Sequence, residues 1–121
     1  MKILEVDLKG IVNKVCKKTG MDKELAGKAE VQYLQYLTLR ANYPEMVLVP
    51  PVLADELWHE HMLHSKKYVE DCDKLFGSYL HHHQGEPEEL LRKGWENTQR
   101  LFIQNFGVNL LATGAIAAPC R

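Results

Sequence analysis

All six histidines of this chain lie between positions 59 and 83: His59, His61, His64 and the run His81-His82-His83. Neutral imidazole is a common ligand for transition metals and titrates near neutral pH, so this density points to metal binding or proton transfer. Helix geometry limits which residues can act together. At about 100° per residue, His59 and His61 project to nearly opposite sides, and His-x-His cannot chelate one ion on a regular helix. Residues three or four apart do share a face, which pairs Asp55 with His59 and His61 with His64. A tetrahedral zinc site needs further donors, and the His81–His83 run supplies them. The candidate metal set is therefore Asp55, His59, His61, His81 and His82. Zinc is the first expectation, although iron and copper use the same donors.

Two other chemistries fit the same residues. A metal-free interaction module could bury its histidines in a hydrogen-bond network, each imidazole bonded to a carbonyl or carboxylate. A histidine beside Asp55 with a pKa of about 6.5 could also act as a general base. No catalytic residue can be named, because no nucleophile or oxyanion donor accompanies it. The spacing His59-Glu60-His61 is not the His-Glu-x-x-His of a metalloprotease, and no Gly-x-Ser-x-Gly, phosphate-binding or dinucleotide-binding glycine motif occurs.

The elements around these residues decide whether the two histidine groups meet. Apolar periodicity predicts a first helix from Leu4 through Val15, closed at Gly20. A second follows from an Asp22 cap to about Arg40, with Leu25, Ala29, Tyr33 and Tyr36 or Leu37 as its stripe. Met46-Val47-Leu48-Val49 reads as an extended segment before Pro50-Pro51, and Pro51 suits the first turn of the central helix. There Leu57, Trp58, His61, Met62, Tyr68, Val69, Cys72, Leu75 and Phe76 share an apolar arc up to Gly77. Trp58, Tyr68 and Cys72 are expected to be structural. A continuous helix would carry the chain far from His61. A break near His64-Ser65, with Ser65 capping a new helix, would fold it back and bring His81–His83 beside Trp58–His61. A last helix starts around Glu86-Pro87-Glu88-Glu89, buries Leu91, Trp95, Thr98, Phe102 and Phe106, and ends at Gly107. Residues 108–121 form an apolar, small-residued tail.

These elements make an all-α, compact bundle of four to five helices in one domain spanning 1–121, with an extended Pro-containing segment before the central helix. With 15 basic and 16 acidic residues, the chain has no general attraction to nucleic acid or anionic membrane, and a protein partner is the macromolecular expectation. No run approaches the ~20 apolar residues of a membrane span. Three widely spaced cysteines argue for a reducing compartment, with cytoplasm the default.

The stretch from Val49 to His83 resembles the signature of the glycine-rich domain-containing protein-like family. The resemblance rests on Pro50, Asp55, Trp58, His59, His61, Tyr68, Asp71, Cys72, Gly77 and His81-His82. Tyr36-Leu37-x-Leu39, Trp95, Thr98 and Phe106-Gly107 extend it over about residues 25–107, as in a bacterial-type member. That family tends to carry Asn-Pro or Asp-Thr where this chain has His64-Ser65, which implies a helix break there. The aromatic segment that follows its His-His pair is here His83-Gln84-Gly85, and its glycine-rich tail is absent. The resemblance implies a fold and a polar site, and it brings no established enzyme activity with it.

Overall fold

The computed structural model describes residues 1–82 and 86–118. His83, Gln84 and Gly85 of the expected histidine loop, and Cys120 of the tail, lie outside the described residues. Among the described residues the architecture is all-α. It comprises α1 (Lys9–Thr19), α2 (Lys23–Asn42), α3 (Val52–Leu63), α4 (Ser65–Phe76), α5 (Glu88–Phe106) and a short 3-10 turn, Leu111–Thr113, with no strand. α2 packs against α1, α3 and α5, and α3 also packs against α1 and α4.

The first helix starts later than its periodicity suggests. Leu4 spends its backbone N–H on the Thr38 hydroxyl at 2.9 Å, and the Asp7 carboxylate takes the Lys9 N–H at 3.1 Å. Residues 1–8 therefore precede the helix without regular structure, tied to α2 through Leu4, with Leu8 buried. Asp22 caps α2 as expected, accepting the Leu25 N–H at 2.8 Å. Leu25 itself is exposed, and Ala26 takes its place in the core beside Ala29, Tyr33, Tyr36 and Leu37. From Tyr33 to Leu39 most α2 side chains are buried, because α1, α3 and α5 all pack against this helix.

The extended segment docks on α5. Val49 N–H donates to the Thr98 hydroxyl at 3.0 Å, and the Asn97 amide donates to the Val47 carbonyl at 3.0 Å. This close approach requires Gly94. A Cβ there would lie 2.8 Å from Val49 Cγ2 and 3.1 Å from Val47 Cγ1. The apolar tail returns to the same region. Val52 N–H bonds to the Ile116 carbonyl and Ala118 N–H to the Pro50 carbonyl, at 2.9 and 3.0 Å. Pro51 stands just outside α3, as its N-cap, and the tail satisfies the donor that follows it.

The helix break lies where expected, for a different local reason. His64 takes φ −86°, ψ 67° between α3 and α4. Ser65 is the first residue of α4 and does not cap it. The His64 imidazole instead turns back to Glu60 Oε2 at 2.9 Å. Because the two helices are separate, one apolar arc cannot run through both. Tyr68 and Cys72 are buried, whereas Val69 on the projected arc is 50% exposed. Gly77 closes α4 in the left-handed region at φ 72°.

Candidate metal centre

Asp55 and His59 stand one turn apart on α3, and the loop after α4 brings His82 against them. Asp55 is 1% exposed. His82 Nε2 lies 2.6 Å from Asp55 Oδ1, His59 Nε2 lies 3.4 Å from Asp55 Oδ2, and the two Nε2 atoms are 3.2 Å apart. One ligand atom from each of the three residues falls within 4.8 Å of the others. Both histidine side chains keep partial exposure, so the group has a path to solvent.

The loop is held by the aromatic core. Trp58 Nε1–H donates to the Tyr68 hydroxyl, which donates to the Leu80 carbonyl, two residues before His82. The Trp58 ring also packs on His82, with centroids 4.3 Å apart. Burial pushes the Tyr68 phenol well above its ordinary range, so it remains a donor. Trp58, Tyr68 and Cys72 are all buried in this region.

Two polar atoms of the group lack a hydrogen bond among the described residues: Asp55 Oδ2 and His82 Nδ1. Asp55 Oδ2 keeps only the 3.4 Å contact with His59 Nε2, and a cation is one way to satisfy a buried carboxylate oxygen so weakly partnered. Two imidazole Nε2 atoms and a carboxylate facing one point form a donor set suited to zinc, iron or copper.

His61 and His81 are not brought to this point. His61 is buried on the other side of α3. Its Nε2 lies 2.8 Å from Asp71 Oδ2, so that nitrogen donates and Nδ1 accepts from the Tyr33 hydroxyl, also at 2.8 Å. Lys67 adds a cationic partner for Asp71 at 2.9 Å. Burial holds the His61 pKa below its ordinary value despite the opposing bond to Asp71. This imidazole is neutral with both nitrogens satisfied. His81 is exposed and packs on Tyr79, with ring centroids 4.7 Å apart. His64 and Lys18 converge on buried Glu60 at 2.9 and 2.8 Å. Burial works against the Glu60 charge, but these partners outweigh it and hold its pKa below the ordinary value.

A cavity of about 220 Å³ adjoins the group, with Asp55, Trp58 and His82 on one side and Arg40 and Glu86 among its other walls. Sequence reasoning missed this cavity, because its walls come from α2, the extended segment, α3 and the start of α5. The only local hint was Arg40 on the flank of an otherwise apolar helix face.

A family model matches residues 8–107, taking in α1 through α5. The chain belongs to the UCP032817-like family. This overturns the resemblance to the glycine-rich domain-containing protein-like family. Much of the motif behind that resemblance has packing work here: Trp58, Tyr68 and Cys72 in the core, and His61 and Asp71 in one buried network. The UCP032817-like family is uncharacterised, and no curated protein or solved structure matches the chain.

Proposed function

We propose that this member of the UCP032817-like family is a small metal-binding protein that holds a divalent transition metal, zinc first, on Asp55, His59 and His82. The observation that carries the reading is the convergence of those three donor side chains within 4.8 Å of one another, where Asp55 Oδ2 accepts no hydrogen bond among the described residues and has only the 3.4 Å ion-pair contact to His59. Zn–N bonds of about 2.0–2.1 Å in tetrahedral geometry put neighbouring ligand atoms roughly 3.3 Å apart. The His59–His82 and His59–Asp55 separations of 3.2 and 3.4 Å are close to that edge. The 2.6 Å contact between His82 and Asp55 Oδ1 is a hydrogen bond, and metal uptake replaces its proton. Three protein ligands leave a fourth position for water or a small ligand.

The test is elemental analysis of protein purified without a histidine tag, followed by thermal unfolding with added zinc. Near-stoichiometric metal and a raised midpoint are the expected result. Less than about a tenth of an equivalent, with no thermal response to zinc, refutes the reading. A metal-free interaction module is the second reading, favoured by the fully paired His61, which shows this sequence building a histidine network without a metal.

A further inference from the structure

We propose that the cavity beside Asp55, His59 and His82 binds a small organic carboxylate, gripped by the Arg40 guanidinium and by the metal once one is bound. This rests on the metal reading above and names the ligand class of the same site. The cavity measures about 220 Å³, below the ~300–1,000 Å³ of ordinary ligand sites, so it suits a small occupant. Leu48, Pro50, Trp58 and Leu91 give it apolar walls.

Arg40 supplies the anion-binding group. Its Nη1 donates to the Met46 carbonyl at 3.1 Å, which anchors the side chain. Its Nε is buried and has no hydrogen-bond partner among the described residues. A guanidinium stays charged at all relevant pH and presents a planar fork that matches a carboxylate. The guanidinium also bonds to the Tyr36 side chain, and an anion in the cavity would meet its remaining N–H groups at the wall that Arg40 forms.

The charges around the cavity make this binding conditional. Two carboxylates, Asp55 and Glu86, line the cavity together with Arg40, so the metal-free cavity disfavours an anion. A divalent ion on Asp55, His59 and His82 reverses the balance to a single net positive charge. That suits a monoanion better than a phosphate dianion, whose second charge would be desolvated against apolar walls without a counter-ion. The metal's fourth position and the Arg40 fork then hold the carboxylate, and the apolar walls accept a short hydrocarbon chain.

Isothermal titration of the full chain with hexanoate, and separately with inorganic phosphate, tests this before and after zinc loading. Hexanoate should bind the zinc-loaded protein and bind at least about tenfold more weakly to zinc-free protein and to zinc-loaded Arg40→Gln. Arg40→Lys, which keeps the charge but loses the fork, should fall between them and carries the test if Arg40→Gln does not fold. A cobalt-loaded sample should change its visible spectrum on adding hexanoate, as the fourth ligand is exchanged. Zinc uptake without hexanoate binding, or phosphate binding more tightly than hexanoate, overturns this inference alone. Failure to take up zinc overturns it together with the reading on which it rests.

Discussion

The phenol oxygen of Tyr68 accepts the Trp58 indole N–H at 2.8 Å and donates to the Leu80 carbonyl, so one side chain on α4 couples α3 to the loop carrying His82. Tyr68→Phe keeps the ring and removes both bonds, leaving a buried N–H and a carbonyl unpaired. The expected loss is about 1–3 kcal/mol of unfolding free energy in urea. Zinc affinity should fall as well, because His82 loses the bond that fixes its loop. A loss below about 0.5 kcal/mol would mean that water replaces the phenol.

Trp58 is 4% exposed and packs on Tyr36 and on His82, with ring centroids 5.4 and 4.3 Å away. Trp58→Ala should cost about 3–5 kcal/mol through lost burial and the cavity left behind. Urea unfolding followed by far-ultraviolet circular dichroism measures it, since the variant loses a fluorophore. A cost under about 1 kcal/mol would contradict the buried position and assign the indole to a binding surface.

Gly94 shows two opposing magnitudes. Alanine gains about 1 kcal/mol of helix propensity over glycine. Its Cβ, however, would meet Val49 Cγ2 at 2.8 Å and Val47 Cγ1 at 3.1 Å, and overpacking costs about 1–3 kcal/mol. Valine is stiff at χ1, so neither neighbour gives way freely. Gly94→Ala should lower the thermal midpoint, and pairing it with Val49→Ala should cost less than the two single costs added together. Simple additivity in that double-mutant cycle would remove the steric explanation.

His61 is expected to matter for stability and not for metal uptake. His61→Leu leaves the Tyr33 hydroxyl without its acceptor and Asp71 without its imidazole donor, at an expected cost of about 2–5 kcal/mol. Zinc stoichiometry should be unchanged. Burial holds the native His61 pKa below that of the unfolded chain, so the unfolded state binds the extra proton first. Stability is therefore lost as pH falls below about 6.5 toward the lowered native value, by at most about 1.4 kcal/mol per pH unit. Urea unfolding over that range should show a shallower slope in His61→Leu than in the unmutated protein. Equal slopes would place the titration elsewhere.

Local signals made most of the fold legible. Gly20, Gly77 and Gly107 each take the left-handed conformation at the helix end they mark, and Asp22 caps α2 as its side-chain chemistry requires. The errors came mainly from long-range partners. The start of α1 differs because Leu4 bonds to Thr38, 34 positions away, whereas at Ser65 the difference is local, the His64 imidazole turning back to Glu60. In the site, the one-turn spacing of Asp55 and His59 was readable. The partners of His61 were not, since Tyr33 lies 28 positions away across a helix packing. Nor could spacing choose between His81 and His82.

The adjacent pair His81 and His82 offers the sharpest test of the site. The bond from Tyr68 to the Leu80 carbonyl sets the loop so that His82 turns inward to Asp55, while His81 stays exposed against Tyr79. His82→Ala removes one of three proposed ligands and leaves Asp55, at 1% exposure, without its 2.6 Å partner. Zinc retained through dialysis should drop to background, and stability should fall even without metal because a buried charge is left uncompensated. His81→Ala should keep the full metal content and an unchanged thermal midpoint. If the two variants lose zinc equally, the loop binds metal in another arrangement. If neither does, the ion sits outside the Asp55–His59–His82 group.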